Sequence, residues 1–202
     1  EISLGLVGSE MCIRDRLEVA DDPKLVADRL GAFRERLTKD SIRCVALLGM
    51  GGSSLFPDMV RQMFQGKGDI ELRILDSTDP AQIRTFESTI DLEHTVFVVS
   101  SKSGTTLETR MFYQYFMGRL EAAVGSDAAP SRFCVVTDAG SELDLLASRQ
   151  CFRATFHGEA AVGGRYSALT YFGMLPAAVL GCDVTTLLER AQGMADACRP
   201  LN

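Results

Sequence analysis

The residues from Ser100 to Thr106 read SSKSGTT, setting five hydroxyls, one glycine and one lysine side by side with no carboxylate among them. Leu107, Met111, Tyr115 and Leu120 follow at helical spacing, so this cluster of donors stands at a helix start. A phosphate monoester suits such a place, because it accepts several short charge-assisted hydrogen bonds and gains from the positive end of a helix. The plainer alternative is an N-cap with hydroxyls solvating a turn, but a cap needs one such residue rather than five.

Two other segments have chemical potential. Gly49-Met50-Gly51-Gly52-Ser53-Ser54 follows an apolar run and opens a helix. Glycines there let the backbone approach an anion, and a helix start offers free amides. As a dinucleotide fingerprint the segment fails, since the third glycine of G-x-G-x-x-G falls on Ser54, and no Walker lysine follows. A tight strand-to-helix turn explains it equally. The third segment is Val162-Gly163-Gly164-Arg165-Tyr166-Ser167, where two glycines allow a guanidinium to be presented at a helix start. Arg165 paired with Glu159, or capping a neighbouring helix, is the structural alternative.

These segments need strands and helices to hold them. Short continuous apolar runs, which suit strands covered on both faces, predict Cys44–Leu48, Leu72–Leu75, Thr95–Ser100 and Arg132–Thr137, with Ala154–Phe156 as a fifth. Helical patterns lie between them. The first begins at Asp22-Pro23 with Val26, Leu30, Phe33 and Leu37 on one face; others cover 54–65, 80–90, 105–124 and 141–149. Asp79-Pro80 caps the 80–90 helix, whose stripe is Ile83, Phe86 and Ile90. Residues 165–181 are apolar nearly all round and predict a buried helix bent at Pro176, with a last helix over 184–198. Alternating strands and helices imply an α/β fold: a three-layer α-β-α sandwich around a five-stranded parallel sheet with right-handed crossovers. In a flavodoxin-like strand order the loops after strands one and three flank the topological switch point, so both Gly/Ser segments face one crevice.

Composition narrows the remaining choices. The chain has 202 residues, enough for one large domain or two small ones, with 46% apolar and 24% charged side chains. A net charge of −6 argues against nucleic acid as a partner. The longest apolar stretch, Ala168 to Cys182, is shorter than the roughly 20 residues of a membrane span. Six cysteines without a C-x-x-C pair and only two histidines give neither a disulfide framework nor a zinc site; no metal or cofactor is expected, and a reducing cytoplasm fits. Residues 1–16 lack the order of a signal peptide, and GLVGSEMCIRDR looks like translated sequencing adapter, so this leader is expected to be non-native or disordered.

In order and separation, GMGGSS at 49–54, SKSGTTLET at 101–109 and VGGRYS at 162–167 resemble the first sugar-isomerase (SIS) domain of the glucose-6-phosphate isomerase family. LDSTDPAQI at 75–83 resembles the bacterial members, including transaldolase-fused forms. The resemblance implies interconversion of glucose 6-phosphate and fructose 6-phosphate through a cis-enediol. It implies that Ser101, the backbone of Lys102, Ser103, Gly104, Thr105 and Thr106 hold the substrate phosphate, that Gly52, Ser53 and Gly164 line the sugar side, and that Arg165 is the catalytic arginine steadying the enediolate. Glu108 would support the loop.

The family's catalytic base lies in a later tryptophan-containing segment, and this chain has no tryptophan; the ring-opening histidine and a lysine also belong to later parts. Those roles are not transferred to His157, which reads as a sheet-end residue. Phe56 replaces a small residue and is expected to narrow the crevice. The implied organisation is a SIS domain over 17–182 and a helix over 183–202 leading to a missing C-terminal part, from a full-length homodimer. A fragment holding the phosphate site without its acid/base half is the expectation. A non-catalytic SIS module sensing a phosphosugar is the rival; a nucleotide-binding oxidoreductase, for which Asp76 would be the ribose contact, is more distant.

Overall fold

The computed structural model describes residues 23–64 and 68–198. The leader, Asp22, Pro200 and Asn202 lie outside the described residues. In chain order the elements are α1 (Pro23–Lys39), β1 (Cys44–Gly49), α2 (Gly52–Phe64), β2 (Glu71–Leu75), α3 (Pro80–Ser88), β3 (Thr95–Ser100), α4 (Leu107–Val124), β4 (Phe133–Thr137), α5 (Glu142–Arg149), β5 (Ala154–His157), α6 (Tyr171–Val179) and α7 (Val184–Ala197). Short 3-10 turns lead into β3 (Leu92–His94) and β4 (Ala129–Arg132), and another spans Gly164–Leu169.

Five strands form one parallel sheet in the order β2-β1-β3-β4-β5, the flavodoxin-like arrangement. Every residue of β1, β3 and β4 is buried, whereas the edge strands β2 and β5 are partly open. Side chains alternate between faces, so adjacent residues serve different layers. Val96 and Val98 join Val45 and Leu47 beneath α1, α2, α6 and α7. Phe97 and Val99 join Ala46 and Leu48 against Phe112, Phe116 and Leu120 of α4 and Leu143 of α5. That division into two cores is the expected α-β-α sandwich.

Local signals work as physical chemistry requires. The Asp79 carboxylate accepts from the amides of Ala81 and Gln82, both at 2.9 Å, and so caps α3. Ile83, Phe86 and Ile90 pack on the second core. The segment over 165–181 departs from the expected single helix: a 3-10 turn covers Gly164–Leu169, Thr170 takes an extended backbone, and α6 starts at Tyr171. The Thr170 hydroxyl accepts from the Phe172 amide at 3.3 Å, so it ends one element and caps the next. Pro176 stands inside α6. α7 packs on α1 and α6, with Val184 and Leu188 buried in the first core.

Candidate functional site

Register places the loops. Gly49, the last residue of β1, lies opposite Ser100, the last of β3, and Ser100 lies opposite Val136 of β4. The two Gly/Ser segments therefore leave the sheet side by side at its carboxyl edge, the switch point of this topology. Gly51 has φ +55° and Gly104 has φ +71°, conformations that favour glycine. At Gly104 a Cβ would stand 2.9 Å from the backbone nitrogen of Leu143, so the loop after β3 also needs glycine to fit against α5.

Within that loop the hydroxyls converge in pairs. Ser101 Oγ lies 3.0 Å from Thr106 Oγ1, and Ser103 Oγ lies 2.9 Å from Thr105 Oγ1. Ser101 is buried, Thr106 half-buried, and Ser103 and Thr105 exposed. Thr106 occupies the N-cap position of α4, yet its hydroxyl makes no capping bond. The first turn of α4 thus has no side-chain cap, while within the loop the Thr105 amide donates to Ser103 Oγ at 3.3 Å, so one hydroxyl serves the turn itself. No carboxylate bonds to these hydroxyls among the described residues.

The lysine side chain points elsewhere. Lys102 Nζ donates to both oxygens of Asp138, at 2.9 and 2.7 Å, and to the carbonyls of Glu159 and Ala160, at 3.0 and 3.3 Å. Its ammonium therefore bonds to none of the loop's hydroxyls. Asp138 itself was missed by the sequence reading; the available signal was a carboxylate directly after β4, at the same sheet edge as the two loops.

The third segment meets the first. A Cβ on Gly52 would lie 2.4 Å from the carbonyl oxygen of Gly164 and 3.3 Å from the nitrogen of Arg165. Gly52 and Ser53 open α2, and Gly164 and Arg165 open the adjoining 3-10 turn. Arg165 is exposed, and its guanidinium has no hydrogen bond or ion pair among the described residues, so neither Glu159 nor a helix end consumes it. Phe56 is half-buried at the start of α2. Its ring packs into the first core, with Cδ1 2.7 Å from where a Gly173 Cβ would be. His157 ends β5 and pairs through Nε2 with Asp144 at 3.0 Å. Glu108 lies in the first turn of α4. Groups able to hold a metal are absent among the described residues.

A model of the phosphoglucose isomerase family matches residues 12–198. The chain belongs to that family. A glucose-6-phosphate isomerase of Trichormus variabilis is 32% identical over 197 residues, covering 90% of this chain and 36% of that protein. The crystal structure of a glucose-6-phosphate isomerase from Chlamydia trachomatis superposes with a TM-score of 0.71 at 29% identity, over 86% of this chain and 32% of that one. A Thermus thermophilus hypothetical protein reaches 0.84 at 28% identity, over 97% and 49%. The chain thus spans about a third of the length of the curated relatives it matches.

Proposed function

We propose that this chain seats a hexose 6-phosphate and supplies the phosphate-binding part of an aldose-ketose isomerase acting on glucose 6-phosphate and fructose 6-phosphate. Ser101, Ser103, Thr105 and Thr106, with the backbone of Lys102 and Gly104, hold the phosphate. Gly52, Ser53 and Gly164 line the sugar, and Arg165 opposes the negative charge that develops on the enediolate oxygen as the proton moves. Its stabilisation is catalytic because that charge exists only along the reaction path. The acid/base groups belong to the longer polypeptide, which acts as a cytoplasmic homodimer. The observation that carries this reading is the paired hydroxyl cluster at an uncapped helix start, beside the Gly52 loop. No helix among the described residues is long and apolar enough to cross a membrane.

The test is calorimetric. The chain is expected to bind glucose 6-phosphate but not glucose, and Ser103→Ala with Thr106→Ala to weaken that binding by about tenfold or more, since each lost bond to a charged group is worth roughly 1.5–3 kcal/mol. Circular dichroism should show the fold intact. Unchanged affinity in the double variant defeats the phosphate assignment. General acid/base groups contribute about 10²–10⁴-fold each, so turnover by the 202-residue chain should be close to background; ready turnover defeats the division of the site.

A further inference from the structure

We propose that the Lys102 side chain is a positioning group, a tether that fixes the loop bearing Gly164 and Arg165 to the hydroxyl loop after β3. An ammonium has three N–H donors, and here all are spent on four oxygens: the two of Asp138 and the carbonyls of Glu159 and Ala160. The Lys102 and Asp138 side chains are only 25% and 24% exposed, so the pair is shielded from much of the screening that weakens surface ion pairs.

Backbone bonds complete the linkage on both sides. The Asp138 amide donates to the Lys102 carbonyl at 3.0 Å, and the Thr137 hydroxyl to the same oxygen at 3.3 Å, locking the loops after β3 and β4 together. The Glu159 carbonyl that Lys102 holds also accepts from the Val162 amide at 3.1 Å, closing a turn whose Val162 side chain is buried. Tyr166 donates from its amide to the Gly163 carbonyl at 2.8 Å, which sets Arg165 within a second closed turn. Gly158 shows how tightly this corner is built, since a Cβ there would meet the Phe172 ring at 2.6 Å and Asp138 Oδ1 at 3.2 Å. A lysine thus bridges three loops while giving the ligand only its backbone. The loop's part as a sugar contact rests on the phosphosugar reading above; its tethering by Lys102 does not.

Two measurements on the 202-residue chain separate these levels. In Lys102→Met, amide exchange at Val162–Tyr166 should rise about tenfold or more, while β1, β3 and β4 keep their protection. Affinity for glucose 6-phosphate should fall about tenfold toward that for inorganic phosphate, with inorganic phosphate itself changed less than about threefold. Lys102→Arg should restore most of both. Lys102→Met with Asp138→Asn removes both charges and should reproduce the loop effect without a stranded carboxylate. Unchanged exchange at Val162–Tyr166 in both variants overturns the tether. So does loss of protection in the central strands, which makes the lysine a prop for the sheet. Equal losses for phosphate and sugar phosphate with the loop still protected overturn it too, because the ammonium then contacts the anion. If the unmodified chain binds neither ligand, the phosphosugar reading fails and the exchange result alone decides the tether.

Discussion

Gly52 shows what a single missing atom does in this site. A Cβ there would come 2.4 Å from the Gly164 oxygen and 2.8 Å from its carbonyl carbon, and both are backbone atoms that cannot rotate aside. Gly52→Ala must therefore push the α2 start and the Arg165 turn apart. The expected cost is about 1–3 kcal/mol of stability, as for other overpacked sites, with glucose 6-phosphate affinity lowered about tenfold or more. Gly31→Ala is the matched control. Gly31 sits inside α1 with nothing within 4 Å of its added methyl, so it should gain roughly 0.5–1 kcal/mol of helix stability and leave binding alone. Urea denaturation and calorimetry read both effects. Equal behaviour of the two variants would mean that the close approach does not shape the site.

α4 carries the hydroxyl loop, and its hold on the sheet is aromatic. Phe116 is fully buried, stacked on Phe97 at 4.7 Å between ring centroids and set edge-on to Phe86 at 5.9 Å. Phe116→Ala should cost about 3–5 kcal/mol in a urea titration, because rigid neighbours on β3 and β4 cannot collapse into the space; a loss under about 1 kcal/mol would show that α4 settles readily. The same elements show why much of this was legible in sequence. β1, β3 and β4 are unbroken apolar runs because helices cover both faces, and glycines and hydroxyls gather where two such strands end. Other features leave no such trace. Where residues are apolar all round, as over 168–182, periodicity cannot place a helix start, and Thr170 decides it through a backbone bend. The size of Phe56 was readable but its direction was not, because Gly173 opens the space for it from a distant helix. The Lys102 tether spans 36 residues to Asp138 and ends on two carbonyls, which carry no residue-type signal.

Across the whole molecule, four carboxylates are held below their ordinary range by hydrogen bonds in the folded chain. Asp58 on α2 is held below the usual carboxylate range chiefly by a hydrogen bond from Arg61, and Asp91 before β3 by one from His94. Asp144 on α5 is lowered chiefly by His157, and Asp183, the N-cap of α7, by the Thr186 hydroxyl. Each therefore gives up its proton more readily folded than unfolded, so the unfolded chain binds more protons in acid and stability rises with pH there. These contributions are complete above the unfolded carboxylate value of about 4 and disappear as pH falls through the lowered folded values. The urea midpoint should accordingly drop below about pH 4. Replacing all four by asparagine should lower the midpoint at neutral pH and shrink the difference between about pH 7 and pH 3. Asparagine caps a helix about as well as aspartate, so at Asp183 the change tests charge rather than loss of the cap. A fourfold variant with the same acid limb as the parent would assign acid unfolding to other carboxylates. Because none of the four lies in the three loop segments, phosphate binding measured well above that range should survive the replacement, which separates the stability of the frame from the chemistry at its carboxyl edge.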